Sequence, residues 1–516
     1  MPETQYPTRA PRRPPSREGE LHARPQPRSV RTSQNDEVLR SAMVRADEAF
    51  AMLDRIERRT QRNRRARTLH KSIIQSQKDR QRSLTVLRAF FFGNFVILGL
   101  IFMLGAGPTA GSLGEIMTGV ARACALVGTY LILVQLLLVA RIPFLDRIYG
   151  HDRLTRIHKV NGHISFDLIV FHAFFVVAGR AWLNDISIPT MAVRAMSLAY
   201  MPHAVVGFAM MVIAIVTSAH AAKRKVGHDR WHFLHKWTYL GTLLSFGHLL
   251  PGPDFDGRPI PQMYMGLMFA ATFFTIFHFR IVIPFQRAFK HQLHVRKVVE
   301  EGPGITSVYM AGFHLDQLKI KAGQFFYWRF LTRGHWNSAH PYSISTAPNN
   351  KFLRITVKSL GDHSGGIGSI PLGTWVTFEG PFGRFTSEKR TQLKTVLVAG
   401  GIGVTPIRSL LEGMEFIEGD LAVIYRANSE ADAVLLNEIE ELAMQKKAEL
   451  HVVLGPSSAY EEHYKPLGPN HLRSLIPDIG QRDIFICASP GMTKGVCATL
   501  KSMGVPTNQV HYEAFA

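Results

Sequence analysis

The segment HKVNGHISFDLIVFH, from His158 to His172, is apolar enough to cross a bilayer and carries a histidine at each end. A second apolar segment, HKWTYLGTLLSFGH from His235 to His248, repeats this arrangement. Imidazole inside a membrane costs free energy unless it lines water, relays protons or binds a metal. Two helices with two histidines each can form two facing pairs of imidazoles, which is what two haems with two axial histidines each require.

The spacing of the histidines differs between the two segments. The first two are 14 residues apart, so an ideal helix returns the second to within roughly 40° of the first, about 21 Å along the axis. The other two are 13 residues apart, which leaves roughly 140° between them on an ideal helix. A tilt, or a bulge near Gly241 or Gly247, would have to correct that angle. Periodicity supports haem ligation better for the first segment, and a proton relay or hydrogen-bonded interhelical histidines stay open for both.

Six apolar segments have about the length that a bilayer demands. The connections at 141–156 and 223–230 are basic, whereas those at 107–115, 184–189 and 251–261 are nearly neutral. The positive-inside rule therefore predicts six spans with both termini in the cytoplasm. His158 is then expected to pair with His235 at the inner leaflet, and His172 with His248 at the outer one. The predicted spans are 86–106, 116–141, 157–179, 200–220, 234–251 and 262–285.

The bulk composition averages over unlike parts. A net charge of +21 accompanies a mean hydropathy of +0.03 over 516 residues. A basic excess beside membrane spans is typical of contact with anionic lipid, so we expect membrane lipid as a partner and no nucleic acid. The three cysteines, Cys124, Cys487 and Cys497, form no C-x-x-C motif, which argues against iron–sulfur clusters and a disulfide framework. The sequence contains no EF-hand loop, so calcium control is not supported.

Residues 1–84 are rich in Arg, Pro, Ser and Gln, which predicts a disordered cytoplasmic tail. Residues 42–76 have helix-forming composition and include the run RRTQRNRRAR at Arg58–Arg67. That stretch is predicted to be either an amphipathic helix on the lipid surface or a solvated charged helix. No apolar segment follows the start, so we expect no cleavable signal peptide.

The histidine spacings, with HKVNG at His158–Gly162 and WHFLHKWTY at Trp231–Tyr239, resemble the membrane domain of ferric reductases and NADPH oxidases. The resemblance implies two b-type haems. His163 and His232 break both spacings and are expected to be bystanders. Arg122 is expected to meet a haem propionate or a bound acceptor, or to reach the interface. The implied haem ligands are His158, His172, His235 and His248.

From about residue 285 onwards, short strands carry motifs whose order resembles the ferredoxin–NADP reductase family. The motifs are GQFFYW at 323–328, HPYSISTAP at 340–348, KSLGDHSGG at 358–366 and EGPFGRF at 379–385. The resemblance implies FAD, with Tyr342 stacking on the flavin and Ser343 donating to its N5 atom. His340 replaces the arginine that usually meets the pyrophosphate, and Ser364 is expected to donate to phosphate. The implied FAD-binding residues are His340, Pro341, Tyr342, Ser343, Lys358, Gly361, Ser364 and Gly365.

VLVAGGIGVTPI at 396–407 runs from a strand through a glycine-rich turn into a helix, which is typical of a pyrophosphate site. Arg426 favours a 2′-phosphate, and so NADPH over NADH; the alternative is a surface arginine. ICASPGM at 486–492 resembles the family's nicotinamide-lining element, and Phe515 is implied to cover the flavin. The implied nucleotide-site residues are Gly400, Gly401, Gly403, Thr405, Pro406, Tyr425, Arg426 and Cys487, with catalytic roles for Ser343, Cys487 and Phe515.

The predicted organisation is multidomain: a tail (1–84), an all-α six-helix transmembrane di-haem bundle (85–286), an antiparallel β-barrel FAD domain (287–388) and an α/β Rossmann-like NAD(P) domain (389–516). The resemblance implies electron transfer from NADPH through FAD and two b-type haems to an external acceptor, preferably ferric iron or another metal. Reduction of O2 to superoxide and delivery to an extracytoplasmic redox protein are alternatives. A histidine-relay transporter with a nucleotide-sensing domain is the alternative of another class, and a homo-oligomer stays open.

Overall fold

The computed structural model describes residues 34–105, 111–219, 228–456 and 465–514. Phe515 and parts of the connections at 107–115 and 223–230 lie outside these residues. The chain divides into two compact units, Met1–Arg64 and Arg65–Ala516. The membrane helices and both domains that follow them belong to the second unit.

A single helix, α1, runs from Gln34 to Leu104. Every described side chain from Leu39 to Arg64 is exposed. Residues 42–76 are helical, as the sequence predicts, whereas the disorder predicted for the rest of residues 34–84 is wrong. The stretch contains no glycine or proline before Gly93 and is rich in strong helix formers, so residues 39–64 are helical although every side chain there is exposed. Further along the helix, Ile73 and Leu84 are buried.

Within the described residues, five helices are long and apolar enough to cross a membrane. The predicted fifth span, 234–251, is instead a 17-residue helix, α7, followed by a turn and a 3-10 turn. Six spans are therefore not confirmed. α2 packs along α4, and α6 packs along α7. The helices after α1 are α2 Leu113–Leu138, α3 Pro143–Tyr149, α4 His151–Leu183, α5 Ile188–Ala195, α6 Met201–Ser218, α7 His228–Leu244, α8 Pro259–Phe277 and α9 Ile283–His291, with the 3-10 turn at Gly247–Leu249 and a π turn at His278–Val282.

The next domain is one antiparallel sheet in the strand order β4-β3-β6-β1-β2-β5. A bridge between Ile344 and Ile355 links the two edges, so the sheet curves back on itself. Its interior is filled by aromatic and aliphatic side chains that include Phe326, Trp328 and Phe330. The elements are β1 Leu293–Gly302, β2 Ile305–Ala311, β3 Phe325–Phe330, β4 His340–Ser343, β5 Leu353–Lys358, the short helix α10 Asp362–Gly365, and β6 Trp375–Phe382.

The last domain is a five-stranded parallel sheet in the order β11-β10-β7-β8-β9. Strands β7, β8 and β10 are buried along their whole length, as expected for a parallel sheet covered on both faces. The predicted Rossmann-like architecture is confirmed. The elements are β7 Thr395–Gly400, α11 Val404–Gly413, β8 Leu421–Arg426, α12 Leu436–Lys446, β9 Glu449–Val453, α13 Pro469–Leu475, β10 Asp483–Ala488, α14 Pro490–Ser502 and β11 Val510–Ala514.

Candidate functional site

The four predicted histidines lie together as two pairs. The ring centroids of His158 and His235, the first pair, are 6.1 Å apart. Those of His172 and His248, the second pair, are 6.3 Å apart. A metal held between two imidazoles by bonds of about 2 Å sets ring centroids about 6 Å apart. Both pairs therefore have the separation that an iron between them requires.

Each ring is oriented by a contact to its Nδ1 atom. In three of the four, that contact is a backbone carbonyl, which can only accept a hydrogen bond, so Nδ1 carries the proton. Nε2 is then the nitrogen that would ligate a metal, the usual arrangement for a metal-bound histidine. The residues present fit two bis-histidine haems in separation and in tautomer, and the ligand roles stay predictions. The three contacts are His158 to Gln135 O (3.2 Å), His172 to Ala121 O (3.0 Å) and His248 to Ser245 O.

His235 is held by a side chain instead. Its Nδ1 lies 3.3 Å from Ser218 Oγ, which also accepts a hydrogen bond from Trp231 Nε1 at 3.0 Å. Ser218 is the last residue of α6, and the Trp231 ring stacks on His235. The end of α6 therefore orients one member of the first pair.

A helix break brings His248 to its partner. α7 ends at Leu244, and the 3-10 turn at Gly247–Leu249 carries His248. A Cβ on Gly247 would lie 3.0 Å from the Tyr200 ring, so only a hydrogen fits there comfortably. On an ideal helix, His235 and His248 would lie roughly 140° apart around the axis. The irregular backbone after Leu244 removes this offset, so His248 can face His172.

Arg122 meets an anion supplied by the protein. Its Nε donates to Asp254 Oδ2 at 2.9 Å, and its guanidinium lies 5.0 Å from the centroid of Phe102. Asp254 is buried, in the segment between the 3-10 turn and α8. Sequence reasoning predicts a haem propionate, an acceptor or the interface for Arg122, and it does not identify this partner.

The predicted flavin residues lie on the edge strand β4 and in the segment from the end of β5 to α10. Ser343 is buried and pairs with Phe325 of β3. The Tyr342 hydroxyl lies 3.4 Å from His363 Nδ1, and burial raises the pKa of Tyr342 to about 12, so the phenol stays protonated. His340 stacks on His363. Pro341 of β4 is exposed, and so are Lys358, which ends β5, and Gly361 and Gly365, which follow it.

Ser364 orders the loop that follows β5. Its hydroxyl accepts hydrogen bonds from the backbone N–H groups of Leu360 (2.9 Å) and Gly361 (3.1 Å), and it donates to the Gly361 carbonyl. The sequence predicts donation to phosphate, whereas here the hydroxyl is engaged within the loop.

The glycine-rich turn lies where the sequence predicts it, between β7 and α11. A Cβ on Gly403 would lie 2.8 Å from the backbone nitrogen of Ala488, so the turn needs glycine to approach β10. Gly400 and Gly401 precede it, and the Thr405 hydroxyl donates to Ile402 O at 3.1 Å. Pro406 lies in the first turn of α11, where a missing N–H costs nothing.

Two predicted nucleotide residues serve the fold itself. The Tyr425 hydroxyl is buried and donates to Val434 O at 2.7 Å. Arg426 is buried and donates to the carbonyls of Val453 (3.1 Å), Ala427 and Gly455. Its guanidinium joins the ends of β8 and β9, so a preference for NADPH stays a prediction.

Cys487 is fully buried in β10, and burial raises the pKa of its thiol well above the ordinary value. A buried thiol with a raised pKa is a poor nucleophile, and the role of Cys487 beside the nicotinamide stays a prediction. Its neighbour in β11 is Glu513, whose Oε1 would lie 3.7 Å from a Cβ on Gly383 in the barrel. Sequence reasoning misses this carboxylate, although it stands two residues before the terminal aromatic.

The membrane helices and the barrel meet at a polar junction that the sequence does not reveal. His151, the first residue of α4, has its Nε2 2.8 Å from the Tyr327 hydroxyl of β3. The Arg141 guanidinium lies 3.9 Å from the Tyr327 ring centroid and pairs with Glu379 at 2.5 Å. The buried Asp146 carboxylate accepts from the Gly383 N–H at 2.8 Å. These contacts fix the flavin strands against the end of α4 that carries the first pair.

Two protein families match parts of the chain. "Ferric reductase like transmembrane component" matches residues 124–246, and "Oxidoreductase NAD-binding domain" matches residues 397–498. The first range contains both histidine pairs except His248, which lies two residues beyond it. The second begins in β7 and ends in α14, and so covers most of the parallel sheet.

Relatives with known names match less than half of the chain. A flavohemoprotein of Halalkalibacterium halodurans is 27% identical over 241 residues, which are 43% of this chain and 58% of the relative. The glycine betaine monooxygenase reductase subunit of Chromohalobacter salexigens is 25% identical over 239 residues, 44% of this chain and 64% of the relative. The chain thus spans about three fifths of each. The FAD/NAD-binding domain of a nitric oxide dioxygenase from Vibrio cholerae aligns with a TM-score of 0.35 and 21% identity over 44% of this chain and 99% of that domain.

Proposed function

We propose that this chain, which joins a ferric reductase-like transmembrane domain to a ferredoxin reductase-type FAD and NAD module, carries electrons from NAD(P)H across a membrane to an acceptor on the other side. The finer proposal is a multi-pass cell-membrane protein with both termini in the cytoplasm. NADPH is the proposed donor, with NADH as the alternative, and two b-type haems lie in the path.

One observation carries the proposal: two histidine pairs, each with ring centroids about 6 Å apart, lie one above the other along α4. The sequence separation of 14 residues from His158 to His172 corresponds to about 21 Å of helix. A proton relay does not require the same ring-centroid separation of about 6 Å at two levels of the membrane. Two haem irons, one near each leaflet, do require it.

The residues of the chain bind and orient the redox groups. When bound, FAD and haem supply the conversion of a hydride into single electrons and their one-electron transfer. The β7–α11 turn offers backbone N–H groups to the nucleotide pyrophosphate. Tyr342 and Ser343 present a phenol and a hydroxyl to the flavin from β4. The His151–Tyr327 contact holds β3 beside α4, which sets the distance between the flavin strand and the first pair.

We propose ferric iron or another metal as the acceptor, with a small molecule such as O2 or an extracytoplasmic redox protein as alternatives. The segment from the 3-10 turn to α8 is short, which permits access of either a ferric chelate or O2 to the second pair, and the breadth of the family favours a metal. The transporter alternative receives less support, because Asp167 is the only acidic residue within the helix stretch between His158 and His172 and is exposed.

An absorption spectrum of the detergent-purified chain, taken anaerobically before and after NADPH and FAD, tests the proposal. We expect a Soret band that shifts on reduction and two haems per chain. Flavin without haem would refute the electron path and favour the transporter. With haem present, superoxide yield and ferric-chelate reduction measured side by side identify the acceptor, and KM for NADPH and NADH identifies the donor.

A further inference from the structure

The first part of α1 carries an apolar stripe that nothing in the described part of the chain covers. Five side chains recur at alternating intervals of four and three residues between Leu39 and Leu53. On an α-helix this spacing keeps them on one face. The four large ones expose between 61% and 70% of their area. We call these five residues the seam: Leu39, Met43, Ala46, Phe50 and Leu53.

The shape of the seam suits a facing helix. In a coiled coil, each seam side chain inserts between four residues of the partner helix. Ala46 and Ala49 precede Phe50 by one helical turn and by one residue, and their small side chains leave room for an aromatic ring to insert. Leu39 and Leu53 fall at the d positions of the heptad, where parallel pairs of helices favour leucine.

The charge on the rest of this stretch favours a protein partner over a lipid surface. Between Leu39 and Ile56 the helix carries three arginines and three carboxylates, so its net charge is zero. A helix bound to anionic lipid needs basic residues opposite its apolar stripe. The basic run Arg58–Arg67 begins only after the stripe has ended, and Ala66 is the only apolar residue in that run. The six charged residues are Arg40, Arg45, Asp47, Glu48, Asp54 and Arg55.

The exposed area of the stripe is sufficient for an interface. With 61–70% of its area exposed, each large seam side chain leaves on the order of 100 Å² uncovered. Ile56, three residues beyond the seam, adds a similar area at 51% exposure. Two copies of the stripe therefore offer about 1,000 Å², the size at which specific interfaces begin.

We propose that the seam pairs two copies of this chain through a short parallel coiled coil of their α1 helices. The two helices run in the same direction, because α1 also contains a candidate membrane span and both copies enter the membrane from the same side. A seam of fifteen residues is too short to hold two free peptides together. Anchoring in one membrane raises the effective concentration of the two helices and compensates for the short seam. The dimer requires none of the redox chemistry proposed above.

The pairing ends where the basic run begins. Glu57 and Thr60 occupy the next two positions of the heptad seam, so the apolar interface stops before them. The six arginines from Arg58 to Arg67 then lie beside the same run of the partner and repel it. Salt screens this repulsion, so pairing should strengthen as ionic strength rises. Attraction of the same run to anionic lipid would weaken instead, so the sign of the salt effect distinguishes the two occupants.

Disulfide cross-linking of the full-length protein in isolated membranes tests the proposal. In a parallel pair, equivalent seam positions face each other at a separation that a disulfide can span, so Phe50→Cys should give a cross-linked dimer on oxidation. Glu48→Cys, off the seam, is the matched control and should give at least about tenfold less dimer. The unaltered protein, with its three cysteines, supplies the background. Equal cross-linking at positions 48 and 50 would overturn the pairing, because random collision does not distinguish helix faces.

A charge placed on the seam tests the interface itself. With Phe50→Cys as the reporter, Leu53→Glu should lower the cross-linked fraction by at least about tenfold, because pairing would bring two buried like charges together. Met52→Glu adds the same charge to a side chain that is off the seam and equally exposed, at 65%, and should leave the fraction unchanged. Circular dichroism should show the same helix content in both variants. Equal loss in both, or loss in neither, would contradict a dimer built on the seam.

Salt and lipid composition identify the other occupants. Raising the salt concentration from about 50 mM to about 500 mM should increase the cross-linked fraction. A chain that forms no dimer, and whose position 50 is shielded from solvent only in nanodiscs containing phosphatidylglycerol, would overturn the pairing in favour of a lipid surface. A chain that forms no dimer and exposes position 50 in every nanodisc would overturn it in favour of a solvated helix. Neither result bears on the proposed electron transfer, which the absorption spectrum tests separately.

Discussion

The two histidine pairs have nearly equal ring separations but are built differently. In the first pair, both histidines lie within regular helices, α4 and α7. In the second, His172 lies within α4, whereas His248 lies in a 3-10 turn after α7 has ended. A regular helix can offer histidines to two sites only if their spacing returns them to one face, which 14 residues do and 13 do not.

The orienting contacts differ as well. Both histidines of the second pair are held by backbone carbonyls, at Ala121 and Ser245. In the first pair, His235 depends on the Ser218 hydroxyl. The second pair therefore depends on backbone geometry, which glycine substitutions alter, and the first depends partly on a side chain that can be removed.

Replacing His172 by Leu should have the largest effect. The variant removes a ligand of the second pair, so we expect haem content to fall from two to one per chain and reduction of an external acceptor to fall by at least about 100-fold. Flavin reduction by NADPH, measured by stopped-flow absorbance, should be unchanged. His163→Leu is the matched control, since that exposed histidine bonds only to its own helix. Loss of both haems would show that the pairs are not independent.

Gly247→Ala should affect the second pair selectively. The added methyl group would press on the Tyr200 ring at about 3.0 Å, and such overpacking typically costs about 1–3 kcal/mol. We expect weaker haem retention at the second pair, seen as one of two redox transitions losing amplitude in a potentiometric titration. Gly119→Ala, whose Cβ would meet nothing within 4 Å, should leave both transitions in place. If both redox transitions lost amplitude equally, the effect of the substitution would not be specific to the pair that the 3-10 turn builds.

Tyr327→Phe should slow electron delivery to the first pair. The variant keeps the ring under Arg141 but removes the hydroxyl that meets His151. A lost hydrogen bond at the junction is worth about 1 kcal/mol, or roughly fivefold in rate. Stopped-flow haem reduction should slow while flavin reduction does not. Tyr512→Phe, on the exposed face of β11, serves as control. An unchanged rate of haem reduction in Tyr327→Phe would show that this junction does not affect electron transfer.

Ser218→Ala should have the smallest effect and should reach only the first pair. Loss of the hydroxyl beside His235 Nδ1 changes ligand basicity, and we expect the midpoint potential of one haem to move by about 20–60 mV. Ser245→Ala is the matched control, because the backbone carbonyl of Ser245, not its side chain, holds His248. Equal shifts from both variants would show that the hydroxyl has no particular role.

Pattern alone predicts those parts of the molecule in which function requires a fixed spacing. Local sequence identifies the four histidines at the ends of apolar segments and the strand β7 with its glycine turn, whereas the order of barrel and parallel sheet is implied by the family resemblance of the motifs. Helix-forming composition predicts the helix at residues 42–76, but not its continuation through 34–84, because low hydrophobicity in the flanking residues favours disorder. The hydrogen bonds that Tyr425 and Arg426 make to backbone carbonyls do not follow from the sequence, because the direction of a side chain at a strand end depends on the neighbouring strands, and their nucleotide roles stay predictions.

The sequence by itself determined which residue types stand at which intervals: imidazoles at opposite ends of apolar segments, glycines where a backbone must approach another, and buried strands bounded by turns. Only the tertiary structure decided which residues contact each other. It joined Arg122 to Asp254, His151 to Tyr327, and His335 to His340 and His363. Each of these contacts links residues from separate elements, and no local periodicity constrains them, because helix and strand periods act only on near neighbours in the chain.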